Sequence, residues 1–296
     1  MNLLQKFKKF LIEVEQPSYP PYHSGKYLEQ TFLDYYLNNV ERFEKLKHIF
    51  IPVFWTDLYL SQPFLRSSLQ EELNSLDKNL FYFTVSQHDD APLESLPPNT
   101  INFSAGGNSP NSVPIPLIAS KIPNVHQSER NIFCSFVGSV TNPGSYFQDI
   151  AHNVRMDMLK VLVDNKDYVL KPKHWSSQIN ESRKDLFLDL TSQSIFTLCP
   201  RGYGATSFRL YEALQLGSIP VYIYYGKPHL PFENEIDWNK LCVLIDYSLI
   251  QNIDSILKQI SLDQIKEMQN YAKFIYDKYF TLEKLGENIF KILLDK

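Results

Sequence analysis

Hydrophobic and polar positions along this chain fall into two recurring patterns, stretches of helical period and short continuous apolar runs, which follow one another as in a parallel α/β protein. Residues 1–14 (MNLLQKFKKFLIEV) set Leu3, Leu4, Phe7, Phe10 and Leu11 opposite Lys6, Lys8 and Lys9, predicting a basic amphipathic helix. Residues 16–25 (QPSYPPYHSG) are too rich in proline to continue it and read as an ordered connection. Leu28, Phe32, Tyr35, Tyr36, Val40 and Phe43 then predict a helix over 27–47. HIFIPVFW (48–55) reads as a buried strand, 61–77 as a helix, and LFYFTV (80–85) and 100–104 as two more strands. AGGNSPNSVPIP (105–116) has loop composition.

A second half begins after a boundary between residues 119 and 129. A strand over 131–137 runs into Gly138, Ser139 and the turn of residues 141–144, followed by a helix over 151–163, a short strand at 168–171, a basic loop at 171–175 and a helix over 178–189. SIFTLCPRGYGATSFRLYEALQLGSIPVYIY (194–224) is the most ordered pattern: buried strand, Gly-containing turn, helix starting near Thr206, second strand. Residues 226–232 form a Pro-rich loop, 241–245 a last strand, and 249–260, 262–279 and 282–294 three helices. This order predicts an N-terminal domain over 1–125, a second over 126–275, and a terminal helix, 276–296, packing back on the first.

Chemistry concentrates at the ends of two predicted strands, where open α/β sheets bind ligands. In the 200–212 segment, Pro200 closes the strand, Gly202 and Gly204 offer positive φ and close approach to an anion, and Thr206 or Ser207 can cap the helix. Arg201 and Arg209 add fork-shaped donors, and the helix start itself favours a phosphate. Leu210, Ala213, Leu214 and Gly217 share the face that packs on the sheet, while Arg209, Glu212 and Leu216 lie elsewhere, leaving Glu212 free to accept from a ribose diol. The other strand end carries His88, Asp89 and Asp90, which can supply a general base; Asp-Asp after a strand is equally a turn signal.

The ordered run Pro200-Arg-Gly202, Ser207-Phe-Arg-Leu210, Glu212-Ala213 and Gly217-Ser-Ile-Pro-Val221 resembles the signature of the exostosin-like glycosyltransferases. Phe136-Val-Gly-Ser139, Asn153-Val-Arg155, His88-Asp89-Asp90 before Ala91-Pro92, and Ile236-Asp-Trp238 agree with it, so the likeness covers about residues 52–246. It implies two Rossmann-like domains facing a cleft, of the B type, with the second holding a nucleotide-sugar donor, UDP-linked by expectation. Gly138, Arg155 and the 200–212 segment would hold that donor. The family's His-Asp dipeptide favours His88 or Asp89 as base for a glycan acceptor, whereas Asp90 stands where plant members carry an aromatic residue. Family likeness further implies inversion at the anomeric carbon. No Asp-x-Asp occurs, so a metal-independent reaction without cofactor is expected. The alternatives are another enzyme on the same scaffold, disfavoured by the lack of a dinucleotide fingerprint, and a non-catalytic glycan- or nucleotide-binding module.

Composition narrows the setting. A net charge of −4 lacks the basic footprint of a nucleic-acid binder. Cys134, Cys199 and Cys242 have no paired spacing and read as buried thiols in a reducing compartment. With no apolar run of membrane-spanning length, a cytoplasmic location is expected. Residues 1–14 either pack on their own domain or touch a membrane surface. The abundant Tyr and Phe suit either a core or a sugar-binding surface.

Overall fold

The structure, a computed structural model, describes residues 3–13, 26–118, 121–122, 129–140, 150–174 and 181–296, without the side chains of 150–152 and 181–183. The expected turn at 141–144 and connection at 16–25 lie outside the described residues. Two compact units result, one of Met1–Ser120 with Thr281–Lys296, the other of Lys121–Phe280. The limits expected at 125/126 and 275/276 thus fall a few residues away.

In the first unit, helices α1 (Leu4–Phe7), α2 (Leu28–Leu37) and α3 (Val40–Phe43) precede strand β1 (His48–Phe50), and α4 (Trp55–Ser61) and α5 (Arg66–Asn74) lead to β2 (Phe81–Ser86), β3 (Thr100–Ser104) and β4 (Val113–Pro114). The four strands are parallel and lie in chain order. HIFIPVFW is therefore not one strand: pairing stops at Phe50, and Trp55 opens a helix, with its indole N–H donating to Thr84 Oγ1 at 2.9 Å. A short apolar run fits a buried helix turn as well as a buried strand. The helix expected over 27–47 breaks at Asn38 and Asn39, and β4 occupies part of the expected loop. At the N-terminus, Leu3, Phe7 and Phe10 join the core cluster of Trp55, Leu69 and Tyr82, while Lys6 and Lys9 each meet Glu72 at 3.2 Å. The apolar face that suggested membrane contact is thus covered by this unit's own core.

In the second unit, β5 (Ile132–Ser139), α6 (Ile150–Leu162), β6 (Tyr168–Lys173), α7 (Glu181–Ser192), β7 (Ser194–Pro200), α8 (Phe208–Gln215), β8 (Ile219–Tyr224), α9 (Trp238–Leu241), β9 (Val243–Asp246), α10 (Ile253–Lys258) and α11 (Leu262–Tyr279) follow in order. The parallel sheet is ordered β6-β5-β7-β8-β9. Lys171 and Lys173 belong to β6 rather than to a loop, and Trp238 is buried with its indole N–H donating to the Pro231 carbonyl at 3.1 Å. Helix α8 closes on Gly217 at φ 70°, with Gly217 N–H bonded to Leu214 O and Ser218 N–H to Ala213 O, a left-handed cap that turns the chain into β8. Arg130 reinforces it, donating to Leu216 O at 2.7 Å and to Ser192 O and Ser194 O at 2.9 and 2.6 Å.

Helix α12 (Leu282–Leu294) belongs to the first unit. It buries Leu285, Ile289, Phe290 and Leu293, and Glu287 accepts from both Arg42 nitrogens at 2.9 and 3.2 Å and from Tyr35 Oη at 2.9 Å. Burial first, and then this hydrogen bond, push the Tyr35 hydroxyl up to about 12.

Candidate functional site

In the second unit, strand order reverses between β5 and β7, each flanked by a neighbour on its outer side. Open α/β sheets bind ligands beyond the carboxyl ends of strands at such a reversal. The pairing of β5 with β7 runs only from Ile132/Ser194 to Ser135/Thr197, whereas β5 stays paired with β6 to Ser139 and β7 with β8 to Pro200. Arg155 of α6 spans this gap, its Nη1 donating to Ser139 O at 2.7 Å and its Nε to Arg201 O at 3.0 Å. A positive guanidinium, half-buried, is thereby fixed at the switch point.

Gly202 allows close approach here and is not left-handed. A Cβ on it would stand 3.1 Å from Arg155 Nη2, and the positive-φ glycines among the described residues are Gly107, Gly217 and Gly226. The expectation of left-handed Gly202 and Gly204 is corrected accordingly. Gly138 lies within β5 opposite Pro172, where a Cβ would press on the Phe136 ring at 3.1 Å. The turn after Pro200 is tied to β8 by Arg201 N–H, which donates to Ile223 O, and is closed on itself by Gly202 N–H donating to Thr206 O and Arg201 Nη2 to Tyr203 O. Ser207, not Thr206, caps α8, accepting from Arg209 N–H at 3.3 Å. Thr206 is 3% exposed, and its hydroxyl has no partner.

Arg209 and Glu212 differ most from expectation. They form an ion pair at 3.0 Å, and the Arg209 guanidinium lies 3.4 Å from the centre of the Phe187 ring. Glu212 is therefore engaged rather than free, and Leu216, expected off the packed face, is buried. An i,i+3 spacing on one helix turn brings such a pair together whatever else the residues do. Reasoning from sequence missed Tyr222. From inside β8 its hydroxyl donates to Ala205 O at 2.6 Å and accepts from His229 N–H at 3.1 Å, tying the turn to the following loop. Alternation along a buried strand marks Tyr222 as core, and only the partners show its second use.

In the first unit, the chain leaves β2 through Gln87 into His88, Asp89 and Asp90. The loop after β3 lies against them. A Cβ on Gly106 would fall 2.3 Å from Asp89 Cα, Asn108 N–H donates to Asp89 O at 3.0 Å, and Asn108 Nδ2 to Asp90 Oδ1 at 2.9 Å. The Gly106-Gly107 pair, read as loop composition, is what permits that approach. His88 Nδ1 accepts from Asp90 N–H at 3.2 Å, which leaves the proton of a neutral imidazole on Nε2. Burial lowers its pKa below the usual 6.5, against an opposing pull from the Asp90 charge. The ring of Tyr59, 5.1 Å away and edge-on, covers one side of the imidazole. Asp89 is 8% exposed and Asp90 half-buried. No group of three or more metal-ligating side chains occurs among the described residues.

Comparison with known proteins places the chain in a family. The chain is 30% identical over 165 residues to Exostosin-1b of Danio rerio, covering 54% of this chain and 22% of that protein. It is 33% identical over 108 residues to Exostosin-1 of Drosophila melanogaster, covering 36% and 14%. The chain thus spans less than a quarter of the length of these relatives. Among solved structures, a variant of S. aureus TarM in complex with fondaparinux, alpha-GlcNAc-glycerol and UDP gives a TM-score of 0.43 at 11% identity, covering 90% of this chain and 58% of that one. The pneumococcal O-GlcNAc transferase GtfA, in complex with UDP and GlcNAc, gives 0.37 at 11% identity, covering 88% and 47%. At such scores these likenesses add nothing to the sequence relationship. The model of the exostosin GT47 domain matches residues 81–260, a span that contains His88–Asp90, Arg155 and the whole 200–212 segment, and the chain belongs to that family.

Proposed function

We propose that the protein is a glycosyltransferase that moves a sugar from a nucleoside diphosphate, UDP by preference, to a hydroxyl of a glycan, with inversion and without a metal. The observation that carries this reading is the guanidinium of Arg155 held at the β5/β7 switch point, beside the capped start of α8. A developing diphosphate charge is stabilised by such fixed donors and by a helix N-terminus. Gly138, Pro200, Arg201, Gly202, Gly204, Thr206 and Ser207 shape the same end of the sheet, and the buried Thr206 hydroxyl is an uncommitted donor there. Arg209 and Glu212 serve as a pair that stiffens the first turns of α8, from which Glu212 can still present its second oxygen to a ribose diol.

The first unit supplies the base. The acceptor hydroxyl attacks the anomeric carbon, the bond from that carbon to the diphosphate oxygen breaks, and the hydroxyl proton passes to a carboxylate. With its Nε2 protonated, His88 acts as a hydrogen-bond donor to the acceptor. Asp89 is largely covered, so Asp90 is the carboxylate that an acceptor reaches. Lack of any Asp-x-Asp supports the metal-free route, and three buried free thiols support work in a reducing, cytoplasmic setting. Among the described residues no helix is long and apolar enough to cross a membrane.

Thermal shift with nucleoside diphosphates and nucleotide-sugars, in EDTA, tests the donor half. Stabilisation by one nucleotide, lost in Arg155→Ala, is the expected result; binding that needs added metal overturns the metal-free reading. A second reading, a binding module without turnover, draws on the engagement of Arg209 and Glu212 with each other. Release of free sugar from the bound donor rejects it.

A further inference from the structure

The side chain of Glu29 is the least expected feature of the first unit. It lies in the first turn of α2, where an acidic residue ordinarily faces water, yet it is 3% exposed. Its Oε1 accepts three hydrogen bonds: from Thr56 N–H at 3.2 Å, Thr56 Oγ1 at 2.8 Å and Gln87 N–H at 3.0 Å. Gln87 returns the contact, its Oε1 accepting from Leu28 N–H at 3.0 Å. Glu29 Oε2 and Gln87 Nε2 are buried with no partner. A carboxylate kept in the interior with an unsatisfied oxygen costs stability, so packing alone does not account for it.

The two segments that Glu29 ties together are the two that fix His88. Gln87 is the residue from which the His88–Asp90 turn departs. Thr56 lies in the first turn of α4, which carries Tyr59, the ring lying edge-on to the imidazole at 5.1 Å. Tyr59 is itself held at its far end, donating to Glu94 and accepting from Leu93 N–H at 2.6 Å, while Glu94 also takes Arg66 Nε at 2.6 Å. One oxygen of Glu29 therefore sets both the backbone beneath His88 and the wall beside it.

We infer that Glu29 is a positioning residue for the reaction, which clamps Gln87 and Thr56 so that His88 and the carboxylates after it face the acceptor in a fixed geometry. The inference rests on the proposed role of His88–Asp90 for its kinetic consequence, but its structural consequence is independent of that role. Misplacement of a reacting group by about 1 Å costs about 10²-fold in rate.

The test uses the full chain with Glu29→Ala, Glu29→Gln and Thr56→Ala, and reads two quantities. By NMR titration, the His88 imidazole of the parent is expected to titrate below the usual 6.5, because the ring is buried; Glu29→Ala is expected to move it up toward that value as burial against Tyr59 loosens, Thr56→Ala to move it part of the way, and Glu29→Gln, which keeps an acceptor oxygen, to hold it near the parent value. In sugar transfer, kcat is expected to fall about 10²-fold in Glu29→Ala with the donor KM unchanged, and to recover in Glu29→Gln. Where Glu29→Ala does not fold, Thr56→Ala and Glu29→Gln carry both readings. A His88 titration unmoved in Thr56→Ala and in any folded Glu29→Ala overturns the inference, whatever the kinetics. A shifted titration with kcat unchanged overturns the catalytic part, and points to a different base. Absence of transfer in the parent chain bears on the proposed function alone, and the titration still decides the clamp.

Discussion

At the scale of single residues, buried polar side chains with defined partners give the sharpest expectations. Tyr222→Phe keeps the ring and removes the hydroxyl that joins Ala205 O to His229 N–H. Both groups then lose a buried partner, which costs about 1–3 kcal/mol. Urea unfolding should show that loss, and nucleotide binding should weaken with it because the released turn is the one after β7. Unaltered affinity in a destabilised variant would restrict Tyr222 to stability. Glu29 gives a pH prediction whose sign follows from burial. Desolvation is the dominant cause that raises its folded pKa above 4.5, outweighing the hydrogen bonds from Gln87 and Thr56 that lower it. Stability from such a group is complete below its unfolded value and is lost as pH rises through the folded value. Relative to Glu29→Gln, which does not titrate, the parent should lose stability from about pH 4.5 upward, and the gap should level off beyond the folded pKa. Parallel stability curves would show that the carboxylate is solvated after all.

Elements were legible from sequence where local chemistry and packing agree. The β7-α8-β8 unit was plain because Leu210, Ala213 and Leu214 are buried at helical spacing and Gly217 stops the helix with a left-handed cap. Two glycines with nearly equal φ separate the backbone effect from the packing effect. Gly226→Ala at φ 75° meets nothing within 4 Å, whereas Gly217→Ala at φ 70° places its Cβ 2.7 Å from Arg130 Nη2. Each pays the left-handed penalty of about 1 kcal/mol, and Gly217→Ala in addition displaces the arginine that caps α7 and α8. A cost for Gly217→Ala at least double that for Gly226→Ala is expected in urea unfolding; equal costs would mean that Arg130 swings aside freely. The same logic shows what sequence withholds. HIFIPVFW hid a helix start because Trp55 finds its indole partner, Thr84, on a strand nearly thirty residues away. Pattern records burial by residue type, so it gives no sign of the bonds that Glu29 and Tyr222 make with partners far along the chain. Of the candidate site, the residue types at both strand ends were readable, and the i,i+3 spacing of Arg209 and Glu212 already allowed their pairing; the bridging role of Arg155 depends on distances that a pattern does not contain.

For the whole molecule, the first unit is discontinuous in sequence, and its last helix joins a core that is otherwise complete by Ser120. Phe290 packs at 5.2 Å on Phe43, which itself stacks on Phe83 of β2, and Glu287 holds Arg42 and Tyr35. Removing residues 281–296 exposes this aromatic cluster and frees a guanidinium that lies 4.2 Å from the Phe290 ring. Burial of large apolar side chains is worth about 1.5–3 kcal/mol each. Loss of Leu285, Ile289, Phe290 and Leu293 together is thus comparable with the roughly 5–15 kcal/mol that stabilises a domain. Hydrogen exchange on the shortened chain should show fast exchange at the Phe83 amide in β2, with protection retained at Val221 in β8. Nucleotide should still slow exchange in the second unit, because Arg155, the turn after Pro200 and α8 all lie within Lys121–Phe280. Retained protection at Phe83 would show that α12 is an appendage to a core that folds without it. Loss of protection at both amides would show instead that the second unit takes its stability from the first.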